Sequence, residues 1–131
     1  MKAHLYKIEC LTNMHVGSGE VNYSIIDNEV ERDPILGTPT IFSSGVKGAL
    51  RQHFEELGNT DESIGFIKEV FGADGESTSK GAYKFFGATM ISRPLRVSDG
   101  NGAYVNATSP DIIYSHLKVL KSVGINKYPD F

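Results

Sequence analysis

A histidine, a glycine turn, a carboxylate and a basic helix start lie within one short span of the chain. His15 precedes the turn, Asp27 follows two isoleucines, and the run Ser43–Arg51 begins a predicted helix. Imidazole and carboxylate side chains transfer protons near neutral pH, whereas helix N-termini and cationic side chains bind phosphate groups. These residue types at this spacing indicate a site that holds and cuts a phosphodiester backbone.

The helix start has the outline of an anion site. Ser43, Ser44 and Gly45 would present backbone N–H groups that have no helical partner. Lys47 and Arg51 lie one turn further on and share a face. An ordinary capped helix with a solvated basic face produces the same pattern and is the commoner case, so this motif alone leaves both interpretations open.

Four carboxylates alternate along the segment before the helix. In an extended chain Asp27, Glu29, Glu31 and Asp33 would project to one side and attract a hard divalent cation such as Mg²⁺ or Mn²⁺. For the stripe as a whole, a solvated strand edge that resists pairing is the commoner explanation. Asp27 stands apart because it follows an apolar pair and lies nearest the glycine turn, so we single it out as the catalytic and metal-binding candidate. The four histidines and the single cysteine lack zinc-ligand spacing, and no zinc site is predicted.

Length and composition favour one globular domain. The 131 residues are enough for one core, so residues 1–131 are expected to form a single domain. The formal net charge of -3 counts against RNA binding by bulk charge, although local cations near turns and helix starts can override it. Without a signal segment or a membrane-spanning apolar run, a cytoplasmic protein is expected, and Cys10 in an alternating run is predicted to be a reduced, partly buried thiol.

Apolar spacing predicts three helices and a set of strands. The helices are Ser44–Leu57 with Ser43 or Ser44 as N-cap, Asp61–Phe71, and a third that opens at Ser109-Pro110-Asp111 and stops at Gly124. The strands are a half-buried one at 4–12, a buried central one at 82–92 and a short one at 103–105. A long structured excursion with two turn signals separates the first strand from the first helix. Together these elements predict an α+β fold.

Eight sequence blocks occur in an order that is typical of one family. They are Thr12–Gly19 (T-N-M-H-V-G-S-G), Ile26–Asp27, Arg32–Pro39 (R-D-P-I-L-G-T-P), Ile41–Arg51 (I-F-S-S-G-V-K-G-A-L-R), Val70–Gly72, Gly81–Phe85, Arg93–Arg96 and Ala103–Pro110. In this order they resemble the RAMP superfamily, and within it the repeated backbone subunit of type III-B CRISPR (Cmr) RNA-targeting complexes. The departures include Phe42 and Ser43 in place of a Pro-Gly pair and Gly87 in place of an aspartate.

The resemblance implies an incomplete ferredoxin-like (RRM-like) RAMP domain with a long insertion between the first strand and the first helix. The family's subunits are considerably longer, so a C-terminally truncated subunit is expected. This subunit would coat crRNA and bind target RNA. It would also polymerise with further copies of itself into a helical filament and contact other Cmr-type subunits. No membrane is expected among its partners.

The resemblance also implies roles for individual residues. Asp27 would be required for cleavage of target RNA with a divalent cation, and His15 would assist. The expected RNA-binding residues are Ser43, Ser44, Gly45, Lys47, Arg51, Arg93 and Arg96. Two alternatives remain open: a non-catalytic crRNA-binding backbone module, and a metal-free guide-processing ribonuclease that uses His15 as base. The isolated chain could also be an inactive folding unit.

Overall fold

The computed structural model describes residues 2–19, 29–58, 60–73, 78–100 and 102–125. Within these ranges the elements in chain order are β1 (Thr40–Ile41), α1 (Ser43–Leu57), α2 (Asp61–Phe71), β2 (Gly72–Ala73), β3 (Ser79–Lys80), β4 (Ala88–Thr89), β5 (Arg93–Arg96), β6 (Tyr104–Ala107) and α3 (Pro110–Ser122). Strands pair as β1 with β4, β2 with β3 and β5 with β6. Helices and small strand pairs in separate stretches confirm the α+β prediction.

The chain divides into two compact units. Residues 16–88 form one, here called the central unit, and residues 1–15 with 89–131 form the other, here called the terminal unit. α1 and α2 belong to the central unit, whereas the β5–β6 hairpin and α3 belong to the terminal unit. The expectation of one domain over residues 1–131 stays a prediction.

The second helix begins and ends where local capping chemistry places it. The Thr60 hydroxyl accepts a hydrogen bond from the Ser63 backbone N–H at 3.2 Å, which satisfies one N–H group that the helix cannot. Asp61 and Glu62 lie in the first turn, where the helix dipole favours carboxylates. Gly72 ends the helix with φ of 90°, a conformation that favours glycine. The predicted bounds of α2 are confirmed.

Aromatic packing holds the central unit together. Phe71 of α2 is 2% exposed, and its ring stacks on Phe85 with centroids 5.2 Å apart and planes 6° from parallel. Phe54 of α1 contacts Phe66 edge-on at 5.3 Å and Phe71 at 6.0 Å. Because these rings come from both helices and the segment after β3, they join α1 to α2. Phe71 and Ile67 are the buried apolar side chains among the described residues of this unit.

The terminal unit contains a hairpin and a capped helix. In the hairpin β5 pairs antiparallel with β6 over four residues each. In α3 the Ser109 hydroxyl accepts from the Ile112 backbone N–H at 3.3 Å, and Pro110 occupies the first turn. Leu120 is its buried side chain among the described residues. The predicted start of this helix is confirmed, and the short predicted strand at 103–105 corresponds to β6.

Two strand predictions are wrong. The segment 4–12 forms no strand pair with any described residue, and its side chains are exposed, with Tyr6 at 82% and Cys10 also at the surface. In the segment 82–92 only Ala88–Thr89 forms a strand, and Tyr83 and Phe86 are exposed. Alternation or apolar content favours an extended chain, but burial needs a neighbouring strand that accepts the same register.

Four of the apolar residues whose spacing predicted the helices are exposed as well. Leu50 and Leu57 of α1, Ile64 of α2 and Ile113 of α3 all lie at the surface. The helical spacing was correct, but a stripe is buried only where another element covers it. Among the described residues, no helix is long and apolar enough to cross a lipid bilayer.

Candidate nucleic-acid interface

An antiparallel ladder flanks the segment that contains Asp27. The Ser18 backbone N–H donates to the Glu29 carbonyl at 2.8 Å, and the Glu31 N–H donates to the Val16 carbonyl at 2.8 Å. The described residues on either side of 20–28 are therefore held side by side. Asp27 itself lies outside the described residues, so its predicted catalytic and metal-binding roles stay predictions.

A tight turn follows this ladder. The Asp33 carboxylate accepts the backbone N–H groups of Ile35 at 2.9 Å and Leu36 at 2.8 Å. Arg32 donates to the Gly37 carbonyl at 2.9 Å, and Gly37 has φ of 66°. The turn predicted at this position is confirmed. Asp33, one of the four alternating carboxylates, is therefore used to hold a turn.

The first helix begins differently from the prediction. Its N-cap is Phe42, which makes no side-chain capping bond, so Ser43 and Ser44 are helical residues and the prediction that one of them is the cap is wrong. The Glu31 carboxylate instead accepts the Phe42 backbone N–H at 2.8 Å. Because a carboxylate is favoured beside the positive end of a helix, Glu31 stabilises the start of α1. It also brings negative charge to the place where an anion site was predicted.

The two predicted cations of α1 differ in their surroundings. Lys47 and Arg51 lie four residues apart in α1 and are both partly buried, so they share a face as predicted. Arg51 donates from Nε to the Glu55 carboxylate at 2.8 Å, an ion pair one turn apart. Lys47 forms no ion pair with any described carboxylate. Of the pair, Arg51 has its charge compensated within the helix.

Close backbone approach occurs at Gly87 and not at Gly48. A Cβ atom built on Gly87 would lie 2.6 Å from the Ile41 carbonyl oxygen, so the chain passes directly beside the strand that leads into α1. The Thr40 hydroxyl donates to the Ala88 carbonyl at 2.9 Å beside it. A Cβ on Gly48 would meet no described atom within 4 Å outside the backbone of its own helix, so no other segment approaches α1 closely there. Gly87 therefore packs directly against the backbone that leads into α1, and the side chain of an aspartate would not fit at position 87.

The remaining predicted site residues belong to the terminal unit. Arg93 and Arg96 are the first and last residues of β5 and are both exposed. Because side chains alternate along a strand, positions three apart point to opposite faces, and the two arginines do not share one. His15 is exposed at the end of the N-terminal segment of this unit.

The structure gives no direct support for the predicted cation. Among the described residues, no group of three or more histidine, cysteine, aspartate or glutamate side chains could hold a metal ion. Asp27 lies outside the described residues. The chemistry of its carboxylate suits a hard divalent cation, and the Mg²⁺ or Mn²⁺ prediction stays a prediction.

Comparison with known families decides the classification. A model of the RAMP superfamily matches residues 7–129. The chain belongs to the RAMP superfamily. The blocks that first indicated this family, from Thr12–Gly19 to Ala103–Pro110, all lie inside the matched range.

Relatives within the superfamily are named as Cmr subunits. The chain is 29% identical over 130 residues to the CRISPR system Cmr endoribonuclease Cmr4 of Pyrococcus furiosus, which covers 98% of this chain and 42% of that protein. It is 30% identical over 121 residues to the CRISPR system CMR subunit Cmr4 of Saccharolobus solfataricus, covering 89% of this chain and 38% of that protein. The chain spans about two fifths of the length of these relatives.

Solved structures share the fold. Oligomeric Cmr4 from Pyrococcus furiosus superposes with a TM-score of 0.69 at 25% identity, over 91% of this chain and 40% of that one. A chain of the type III-B Cmr-beta complex bound to cognate target RNA superposes with a TM-score of 0.68 at 25% identity, over 89% of this chain and 41% of that one. The α+β RAMP fold inferred from sequence is confirmed.

Two contacts of α1 were not identified from sequence, the Arg51–Glu55 ion pair and the hydrogen bond from the Phe42 N–H to Glu31. The Arg51–Glu55 pair could have been found, because a spacing of four residues on a helix is a known ion-pair signal. The hydrogen bond from the Phe42 N–H to the Glu31 carboxylate could not have been found from sequence. The two residues are eleven positions apart and meet only because of the intervening turn.

Proposed function

We propose that this chain is the RNA-binding part of a subunit that coats crRNA as a repeated backbone in a type III-B CRISPR (Cmr) complex and cleaves complementary target RNA. The match of nearly the whole chain to a relative named as a Cmr endoribonuclease supports this most strongly. The proposed partners are crRNA, target RNA, further copies of the chain in a helical filament and other Cmr subunits. The proposed setting is antiviral defence in the cytoplasm.

Asp27 is the proposed catalytic carboxylate. It would take the proton of the target ribose 2′-hydroxyl, whose oxygen then attacks the adjacent phosphorus while the bond to the 5′-oxygen breaks. His15 would give a proton to that leaving oxygen, so that the products are a 2′,3′-cyclic phosphate and a 5′-hydroxyl. A divalent cation bound by the same carboxylate would supply positive charge for the phosphate oxygens. DNA would not be cut, because it lacks the attacking hydroxyl.

The start of α1 is the proposed binding site for the RNA backbone in the central unit. Its first residues, Ser43, Ser44 and Gly45, are exposed, and Lys47 follows without a carboxylate partner among the described residues. Backbone N–H groups at a helix start together with a lysine suit a phosphate. In the terminal unit, Arg93 and Arg96 are the proposed contacts.

The test compares Asp27→Asn with Glu29→Gln in a reconstituted complex. Both variants remove one negative charge from the same run of carboxylates, and Glu29 is an exposed residue whose pairing uses only its backbone carbonyl. Cleavage of a labelled complementary RNA should fall about 10²- to 10⁴-fold in Asp27→Asn and stay near the parent rate in Glu29→Gln. A target with a single 2′-deoxynucleotide at the cut position should resist the parent.

The other outcomes separate the alternatives. If RNA binding survives while neither Asp27→Asn nor EDTA changes cleavage, Asp27 is not the catalytic group. Activity that persists in EDTA but is lost in His15→Ala would establish a metal-free ribonuclease that uses His15 instead. A complex that binds crRNA and never cuts would show a purely structural backbone module.

A further inference from the structure

The register of the β5–β6 hairpin places an arginine directly beside a tyrosine. Arg96 is the partner of Tyr104 across the strands, and Pro94 is the partner of Asn106. Partners across an antiparallel pair share a face, as do residues two apart on a strand. These four residues, Pro94, Arg96, Tyr104 and Asn106, therefore form one surface, which we call the Arg96–Tyr104 face.

The Arg96–Tyr104 face is open to solvent. All four of its residues are exposed, and Tyr104 is 64% exposed. A tyrosine in a strand normally packs against a neighbouring layer, because its ring is mostly apolar. Here the ring is presented to solvent on a two-stranded ribbon, next to a cation and an amide.

The unit that carries this face has a positive net charge, and the arginine of the face is unpaired among the described residues. Among the described residues Arg96 forms no ion pair, although Asp99 lies only three residues along the chain. The terminal unit as a whole has seven lysines and arginines against four aspartates and glutamates, a formal net charge of +3. A surface of this kind attracts a polyanion.

The composition of the face favours a nucleic acid over a protein. The apolar partners Leu95 and Val105 lie on the opposite side of the hairpin, because they occupy the alternate register position. The face itself therefore lacks the aliphatic centre that a protein interface usually buries. An aromatic ring, a guanidinium and an amide are instead the groups that stack on bases, bind phosphates and contact base edges.

We propose that the Arg96–Tyr104 face binds single-stranded RNA, with a base stacked on the Tyr104 ring. Arg96 binds the neighbouring phosphate, and the Asn106 amide contacts the edge of the base. The proposal rests on the proposed RNA-coating function and adds to it a stacking residue, Tyr104, outside the α1 helix start. It predicts a preference for single strands, whose bases are free to stack.

Absence of tryptophan from the chain allows a local optical test. In the variant Tyr104→Trp the introduced indole is the chain's sole tryptophan, and stacking of a base should quench its fluorescence when single-stranded RNA is added. Tyr114→Trp is the matched control, because Tyr114 is a 71% exposed tyrosine on α3 of the same unit. Its fluorescence should change little. Heparin, a polyanion without bases, should quench neither variant.

Affinity measurements complete the test. Binding of fluorescent single-stranded RNA to the purified chain should weaken about 5- to 150-fold in Tyr104→Ala and much less in Tyr104→Phe. Arg96→Gln should lower the slope of log affinity against log salt by about 0.7, whereas Lys118→Gln on α3 should leave it unchanged. Circular dichroism checks that each variant is folded.

The outcomes distinguish this inference from the proposed function. If the parent binds RNA but Tyr104→Ala binds as tightly and Tyr104→Trp is not quenched, the stacking proposal is wrong and the coating function stands. Equal quenching by heparin would also overturn stacking. If the parent chain binds no RNA under any salt condition, the stacking proposal fails, whereas the coating function is decided separately by the reconstituted complex.

Discussion

The central and terminal units differ in how their charges are arranged. Residues 16–88 contain six lysines and arginines against twelve aspartates and glutamates, a formal net charge of -6, whereas the terminal unit has +3. In the central unit Arg51 is paired with Glu55, and Glu31 lies at the start of α1. In the terminal unit Arg93 and Arg96 have no ion pair among the described residues. The overall charge of -3 is thus an average over two unlike parts.

The units differ in packing as well. The central unit has an aromatic cluster around Phe71, with rings from α1, α2 and the segment at Phe85. Among the described residues of the terminal unit, Leu120, at 3% exposed, is the one buried apolar side chain. The central unit therefore has the larger buried cluster and a braced helix start, and the terminal unit has the exposed cationic surface on which the proposed stacking face lies.

The largest expected effect is on the stability of the central unit. Phe71→Ala removes a ring that is 2% exposed and stacked on Phe85, so the free energy of unfolding should fall by about 3 to 5 kcal/mol. Urea unfolding followed by circular dichroism measures this. Tyr83→Ala, an exposed aromatic of the same unit, should change it by no more than about 0.5 kcal/mol. Equal losses of unfolding free energy in the two variants would show that the buried ring of Phe71 contributes no more to stability than the exposed ring of Tyr83.

A smaller effect is expected where Glu31 meets α1. Glu31→Ala leaves the Phe42 N–H without its carboxylate, and the free energy of unfolding should fall by about 1 kcal/mol. Glu29→Ala, which lies two residues away and is exposed, is the control and should change stability little. A stability for Glu31→Ala equal to that of the control would mean that the carboxylate does not cap the helix.

Glu31→Ala also sharpens the electrostatic comparison. Removing a carboxylate from the helix start should strengthen RNA binding there, since an incoming phosphate no longer meets that charge. Fluorescence anisotropy with single-stranded RNA measures the change. Weaker binding would indicate instead that Glu31 acts mainly by holding the helix start in position.

Helices were predictable from sequence because their signals are local. Thr60 and Gly72 mark the two ends of α2, and Ser109 with Pro110 marks the start of α3. All four residues lie within a few positions of the helix that they define. Strands were less predictable, since the segment 4–12 alternates correctly but finds no partner strand among the described residues. A strand is a property of two segments, and one segment's pattern cannot supply the second.

The same reasoning applies to the candidate site. The candidate residues at the α1 start were predicted from their spacing, and the family was identified from the order of the blocks, because both are properties of contiguous sequence. The Glu31 cap and the Arg96–Tyr104 pairing depend on turns that bring distant residues together. The four alternating carboxylates looked alike in sequence, yet Glu31 caps a helix and Asp33 holds a turn.

The smallest expected effect tests whether Glu55 compensates Arg51. Glu55→Gln removes a partly exposed ion pair one turn apart, so the free energy of unfolding should fall by only about 0.3 to 0.5 kcal/mol. Single-stranded RNA affinity should rise by about twofold, because Arg51 no longer shares its charge with a carboxylate. Gln52→Ala is the control for RNA affinity, because it breaks a hydrogen bond to Glu56 at the same spacing on α1 without changing the charge. Arg96→Gln should lower the affinity for single-stranded RNA by more than Glu55→Gln raises it, because Arg96 forms no ion pair with any described carboxylate. If Glu55→Gln instead produced the larger change, the main RNA contact would lie on the central unit, and the division of roles between the two units would be reversed.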